Sequence, residues 1–270
     1  MKLLTLTTDI GSADYLIGGI KGQLIQLVPN LQIVDISHHL PSFNYPHAAY
    51  IGKNTLRNFP SGSFHLFLVN LFDSPTARIL LVEQNGHFIF CGDNGLITMM
   101  LEETPQKVIA IDTSKTPQQN VLSYVSIFGG IMQKLFEGGT IEDHGELITD
   151  YQVRNPLKPS FGDNWIEGQI IYIDHFENVV VNITKPDFET QRQGRSFTII
   201  FQRNEHIDRI SNHYADVSEG QKLAFFNAAG YLEIAINKGN ASGLFGLRNF
   251  TDNPFHTDRL FYQTVRIFFE

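Results

Sequence analysis

The chain has 270 residues, 42% of them hydrophobic and 18% charged, a globular balance that excludes a disordered polymer and suits one large domain or two ordinary ones. Its formal net charge is −8 and its pI about 5.7, and no basic stripe or Arg-rich arm relieves that acidity, which argues against a nucleic-acid partner. A single cysteine, Cys91, excludes an internal disulfide and a thiolate metal site, and no metal is expected.

Met1-Lys2 leads straight into the apolar run Leu3–Leu6, read as a buried strand. With no leader segment and no run long enough to cross a membrane, the expected location is the cytoplasm. A helix follows around Leu16–Val28 and stops at Pro29. Then come a strand at Gln32–Ile36, a loop from Ser37 to Asn44, a helix over Pro46–Asn58 and a strand at Ser63–Val69. Strands near Ile79–Glu83 and His87–Cys91 flank Asn85-Gly86, a hairpin signal. A short helix after Gly95, a strand near Lys107–Asp112 and a helix over Ile127–Leu135 complete this half. Alternating strands and helices predict a doubly wound α/β domain with a mostly parallel sheet over residues 1–150. Residues 151–164, polar and carrying Pro156, Pro159 and Gly162, read as a connection. From 165 to 270 the segments shorten and alternate: Ile166–Ile173, Val179–Ile183, Ser196–Phe201, Leu223–Phe226, Leu232–Asn237 and Thr264–Phe269. They predict a small antiparallel β-barrel.

No P-loop, GxGxxG, HExxH or GxSxG stands in the chain. Candidate residues therefore come from their placement. Asp9, just past the first strand, lies where open α/β sheets bind ligands, and its carboxylate suits sugar hydroxyls; the competing reading is a helix N-cap. His38-His39 point to opposite sides of an extended segment, which disfavours a shared metal. Asp93-Asn94-Gly95 reads first as a structural turn, with lining of the cleft at a strand end as the second reading. Asp174-His175-Phe176-Glu177-Asn178 is a tight loop bearing a carboxylate and an amide, able to read a polar edge or to close on itself as an Asx turn. Glu233, inside an apolar run, shares a face with Tyr231 and Ala235, so it either meets solvent or is paired.

Together these segments resemble the S-adenosylmethionine hydroxide adenosyltransferases, relatives of the fluorinases and chlorinases. Thr7-Thr8-Asp9-Ile10-Gly11 with Tyr15 and Lys21-Gly22 is similar to the family's opening Thr-Thr-Asp-Phe-Gly segment. Ile33-Val34-Asp35-Ile36-Ser37-His38 and Gly92-Asp93-Asn94-Gly95-Leu96 match two further stretches. Tyr172 through Ile183 resembles the family's Asp-x-Phe-Gly-Asn segment. Asn227 through Gly239, preceded by Tyr214-Ala215-Asp216-Val217, resembles the last. The resemblance implies an α/β domain plus a β-barrel, assembled as a homotrimer with sites at subunit interfaces. The ligand would be adenosylmethionine, cleaved at ribose C5′ by water to adenosine and methionine, or by halide. It implies substrate-binding roles for Asp9, Phe43, Asp174, Asn178, Asn227 and Glu233.

The chain departs from the hydrolytic pattern at the positions that orient water. Where hydrolytic members carry Asp-Pro-Gly-Val-Gly followed by Arg, this sequence runs Asn70-Leu71-Phe72-Asp73-Ser74-Pro75-Thr76-Ala77-Arg78. Asn70 replaces the Asp, and Ala77 stands where the Arg is expected, with Arg78 displaced by one. The family's Thr-Phe-His-Gly-Arg-Asp loop corresponds to Val121 through Ser126, with Ser123 in place of His. Asn70, Asp73 and Ser123 thus occupy the altered catalytic positions, and neither Asn70 nor Ser123 serves as a general base. The resemblance leaves hydrolysis, halide transfer, a silent adenosylmethionine- or adenosine-binding protein, and a structural trimer as readings.

Overall fold

The computed structural model describes residues 2–72, 78–113, 120–248 and 263–270. The chain divides into two compact units, Met1–Pro156 and Leu157–Glu270. The first contains β1 (Leu3–Thr8), α1 (Leu16–Leu27), β2 (Gln32–Ser37), α2 (Tyr45–Asn58), β3 (Phe64–Leu68), β4 (Ile79–Gln84), β5 (His87–Gly92), α3 (Leu96–Leu101), β6 (Lys107–Ile111), α4 (Val121–Phe136) and β7 (Gly145–Leu147). They form a seven-stranded sheet in the order β2-β1-β3-β5-β4-β6-β7. β2, β1, β3 and β5 run parallel, while β4 runs against β5 and β6, and β7 against β6. The sheet is mixed but mostly parallel, as the alternation of elements predicts.

β1 is buried at every position, as a strand covered on both faces must be. The two-residue period sorts the core. Leu4, Leu6, Phe64, Leu66 and Leu68 pack with Ile20 and Leu24 of α1 and Val125 and Phe128 of α4. Phe67, Val69, Val82 and Ile89 pack with Ala48 of α2 and Met100 of α3. Gly129 lets α4 lie close on α1, since a Cβ there would meet Leu27 at 2.6 Å. α4 is longer than the Ile127–Leu135 reading and begins at Val121. Asn120 caps it, its side chain accepting from the Ser123 N–H at 2.9 Å.

The second unit contains β8 (Ser160–Phe161), β9 (Trp165–Ile173), β10 (Val179–Thr184), α5 (Lys185–Arg192), β11 (Phe197–Gln202), β12 (Glu205–Ile207), β13 (Lys222–Phe226), β14 (Tyr231–Ile236), α6 (Ala241–Phe245) and β15 (Thr264–Phe269). The strand order is β12-β11-β15-β9-β10-β14-β13, with β8 on β9, and every pairing is antiparallel. The outermost strands approach each other: Lys222 of β13 meets Glu205 of β12 at 2.5 Å. The sheet is thereby a nearly closed, barrel-like structure around Ile166, Val181, Ile199, Leu232 and Ile267. Within the stretch read as a connection, Gln152 N–H donates to Asp93 at 2.7 Å and Arg154 Nε to the Asn94 carbonyl at 2.7 Å. These residues are fastened to the first unit, ahead of the division at Pro156.

α5 and α6 interrupt what the sequence reading treats as strands and turns alone. α5 carries a capping box in which Thr184 and Asp187 satisfy each other's main-chain N–H groups at 3.1 and 3.3 Å. Its one buried residue, Phe188, sits among the rings of Phe197, Phe226 and Phe269. Phe188→Ala is therefore expected to cost about 3–5 kcal/mol of stability, and Thr184→Ala about 1 kcal/mol. Urea unfolding of the two variants checks the order, and a smaller loss for Phe188→Ala would contradict this packing.

Candidate functional site

The order β2-β1-β3 places a reversal of winding between β1 and β3: the chain leaves β1 toward one side and returns to the other. Ligand crevices of open α/β sheets open at the carboxyl ends of strands flanking such a point. Thr8 of β1 is in register with Leu68 of β3, so Asp9 and Asn70 emerge side by side at that edge. The Asp9 main-chain N–H donates to the Leu68 carbonyl at 3.3 Å, and Asp9 Oδ2 accepts the Asn70 N–H at 2.9 Å. Asp9 is not a helix cap. α1 starts later, at Leu16, whose N–H donates to Asp14 at 2.8 Å.

Asn70 lies in the left-handed region at φ 45° and is buried. Asn tolerates this conformation better than most side chains. Asn94 holds it there, its Nδ2 donating to the carbonyls of Val69 at 3.0 Å and Asn70 at 3.1 Å. Asn70 Oδ1 in turn accepts the Phe43 N–H at 3.1 Å, which ties the β2–α2 loop to the sheet edge. Asp9, Ile10, Ser42, Phe43, Asn70 and Phe72 line a pocket of about 300 Å³. Phe43 and Phe72 are 54% and 51% exposed there, available as flat walls for a ligand. Asp9, Phe43 and Asn70, separate in sequence, thus meet in one place.

The remaining altered positions behave differently. Ser123 sits in the first turn of α4, where its hydroxyl donates to Asn120 Oδ1 at 3.1 Å; the stretch Val121–Ser126, matched to a loop, is helical. Asp73 and Ala77 lie outside the described residues. Arg78 clamps structure: its Nε donates to Asp93 Oδ2 at 2.9 Å and its guanidinium meets Asp150 at 3.2 Å. Asp93-Asn94 is correspondingly a structural turn that supports the Asn70 segment. His38 and His39 also anchor loops, to Thr8 at 3.2 Å and Ser12 at 2.9 Å. Burial pushes the Cys91 thiol up to about 12, so it stays protonated.

In the second unit Asp174, Asn178, Asn227 and Glu233 join one polar network. Asp174 accepts the Asn178 N–H at 2.8 Å and its Nδ2 at 3.0 Å, closing the loop as an Asx turn. Asn178 Nδ2 also donates to the Tyr214 hydroxyl at 3.1 Å, which donates to Glu233 Oε1 at 2.8 Å. Asn227 Nδ2 donates to Glu233 Oε2 at 3.1 Å. Tyr214, which the sequence reading noted only as part of a flanking match, is the hub. Glu233 is only 5% exposed, so the paired alternative holds rather than the solvent-facing one. On the outer face of the sheet, Ala235 of β14 clusters with Leu223 and Phe225 of the paired strand β13, and Val217 packs against them, a cover that strand alternation does not reveal. Beside the network, Phe176 stands 73% exposed.

Burial pushes the Glu233 carboxyl above its usual value, against the lowering effect of the Tyr214 and Asn227 bonds, and the nearby Asp174 charge adds to the rise. Burial, the bond to Glu233 and the carboxylate charges likewise raise the Tyr214 phenol, which stays a neutral donor. A carboxyl whose folded value is raised holds its proton in the native state after the unfolded chain has released it. Its contribution to stability therefore falls as pH rises from about the ordinary Glu value of 4.3 through the raised native value. The difference in unfolding free energy between unmodified protein and Glu233→Gln should show this downward slope; a rising slope there would contradict the burial of Glu233.

Comparison with known proteins gives the family of the chain. Residues 4–145 match the SAM hydroxide adenosyltransferase N-terminal domain, and residues 168–252 match its C-terminal domain. The chain is 23% identical to an (R)-S-adenosyl-L-methionine hydrolase of Methanocaldococcus jannaschii, over 90% of this chain and 92% of that one. It is 24% identical to the Thermus thermophilus protein of the same name, over 92% and 97%. A fluorinase of Nocardia brasiliensis is 23% identical over 91% and 94%. The fold is shared with an uncharacterized conserved protein from Thermotoga maritima, at TM-score 0.81 and 22% identity, covering 98% and 99% of the two chains. Among the described residues no helix is long and apolar enough to cross a membrane. The chain belongs to the SAM hydroxide adenosyltransferase family, which includes S-adenosylmethionine hydrolases and fluorinases.

Proposed function

We propose that the protein binds S-adenosylmethionine and cleaves it at ribose C5′ with water, giving adenosine and methionine. The observation that carries this reading is the Asp9 carboxylate at the sheet edge. One oxygen is occupied by the Asn70 N–H, which leaves the other for a sugar hydroxyl. Phe43 and Phe72 offer apolar walls beside it. The Asp174–Asn178–Tyr214–Glu233 network, acceptor-rich and buried at its core, suits the cationic methionine end or the adenine edge. We propose further that the protein works as a homotrimer, each ligand served by residues of two copies. A stable monomer in sedimentation that still binds adenosine would contradict the shared site.

The chemistry asks little acid–base help from the protein. Sulfonium is a good leaving group, so positioning and water exclusion carry much of the acceleration. Asn70 takes no proton, and Ser123 is engaged with Asn120. General-base assistance contributes about 10²–10⁴ in rate, so turnover is expected to be slow against hydrolytic members that keep the full set. The engagement of Ser123 also supports a second reading, an adenosylmethionine- or adenosine-binding protein without turnover.

Incubation with adenosylmethionine, with and without halide, followed by chromatography for adenosine, 5′-halo-adenosine and methionine, separates these readings. Slow adenosine release supports hydrolysis, a halide-dependent product supports transfer to halide, and binding with no product supports the silent form. Asp9→Ala should weaken adenosine affinity at least tenfold, since a charge-assisted hydrogen bond contributes about 1.5–3 kcal/mol. Unchanged affinity by calorimetry would remove Asp9 from the site.

A further inference from the structure

Asn70 has four hydrogen-bonding groups, and three are accounted for. Its main-chain N–H goes to Asp9, its carbonyl receives Asn94, and Oδ1 receives Phe43 N–H. The fourth, Nδ2, is buried with no hydrogen-bond partner. Turning the amide over does not remove the problem, because Nδ2 would then face the Phe43 N–H, donor against donor. The donor is thus fixed in identity. Buried donors are almost always satisfied, and an exception at a ligand pocket marks a group that a ligand completes. Asn70 lines the pocket together with Asp9, so a molecule bound there is placed to supply the missing acceptor once the side chain adjusts to it.

We infer that Asn70 is the donor half of a vicinal-diol site whose acceptor half is Asp9, so that Asn70 sets discrimination for ribose over deoxyribose. The inference rests on the nucleoside reading above. A sugar hydroxyl that gives its proton to a carboxylate keeps idle lone pairs, which an amide N–H can use. An attacking water is the poorer occupant, because a donor to its oxygen draws electron density away and lowers its nucleophilicity. Asp9 and Asn70 are already joined through the Asn70 N–H at 2.9 Å, so donor and acceptor belong to adjoining groups. Asn70 acts on binding and position, not as an acid or base.

The test is calorimetry with adenosine, 2′-deoxyadenosine and 3′-deoxyadenosine on the unmodified protein, Asn70→Asp and Asn70→Gly. Both replacements accept a positive φ, and Asp keeps an oxygen for Phe43 N–H while losing the donor. The unmodified protein should prefer adenosine to at least one deoxynucleoside by about tenfold. That preference should shrink at least threefold or so in the variants. A ratio of two affinities on one variant is insensitive to general distortion of the pocket, which would weaken all three ligands together. Unchanged ratios in a variant that binds adenosine overturn the inference and leave the nucleoside reading standing. Loss of all three ligands in both variants also overturns it, because one neutral donor accounts for only about tenfold. No adenosine binding to the unmodified protein removes the nucleoside reading itself.

Discussion

The hydrogen bond from the Asn70 N–H to Asp9 Oδ2 is the constraint around which the first unit's site is built. It links the ends of two neighbouring parallel strands at the point where the winding of the sheet reverses. Each side of it is itself held. Asp9 is fixed through its own N–H to Leu68, and Asn70 through Asn94, which reaches across from the segment after β5. Asn94 in turn depends on its neighbour Asp93, which Arg78 grips together with Asp150. Arg78 is thereby part of the scaffolding that keeps Asn70 in its left-handed conformation. The strain of that conformation is small for Asn and is offset by the bonds it permits.

The polar network of the second unit works by a different balance. Glu233 loses hydration on burial and regains two donors, from Tyr214 and Asn227. Removing either donor would leave a buried carboxyl under-satisfied, which costs more than the bond itself contributes. Tyr214 also receives Asn178, so the Asp174 turn and the β14 carboxyl respond to one another through a single hydroxyl. Networks of this kind rigidify when complete, and here the completed network borders an exposed aromatic, Phe176.

On the proposed reading, a site with a carboxylate for the ribose but without the water-orienting residues of hydrolytic members separates binding from acceleration. Leaving-group chemistry at a sulfonium needs little proton transfer, so such a site retains most of what positioning supplies and gives up the part that a base adds. Asn70 illustrates the exchange. An Asp there would be a second carboxylate directly against Asp9, whereas the amide adds a donor and no charge.

The sequence by itself determined the architecture. The 3.6 and two-residue hydrophobic periods, the break at Pro29 and the Asn85-Gly86 hairpin are local signals, and they define an α/β unit followed by an antiparallel one. The ordered motifs likewise made the family legible before any contact was known. Asn120 before Val121 and Thr184 before Asp187 were readable caps whose neighbours' polar or Pro-containing character obscured α4's start and α5. Tertiary structure alone decided the rest, because it depends on which distant groups meet. Whether Asp9 capped a helix or faced a pocket turned on where α1 begins. Whether Glu233 met water turned on a covering segment distant in sequence, with Tyr214 nineteen residues away and Val217 beside it. The left-over donor of Asn70 emerged only when all four of its hydrogen-bonding groups could be traced, and that accounting requires positions in space, since one sequence position carries no record of its partners.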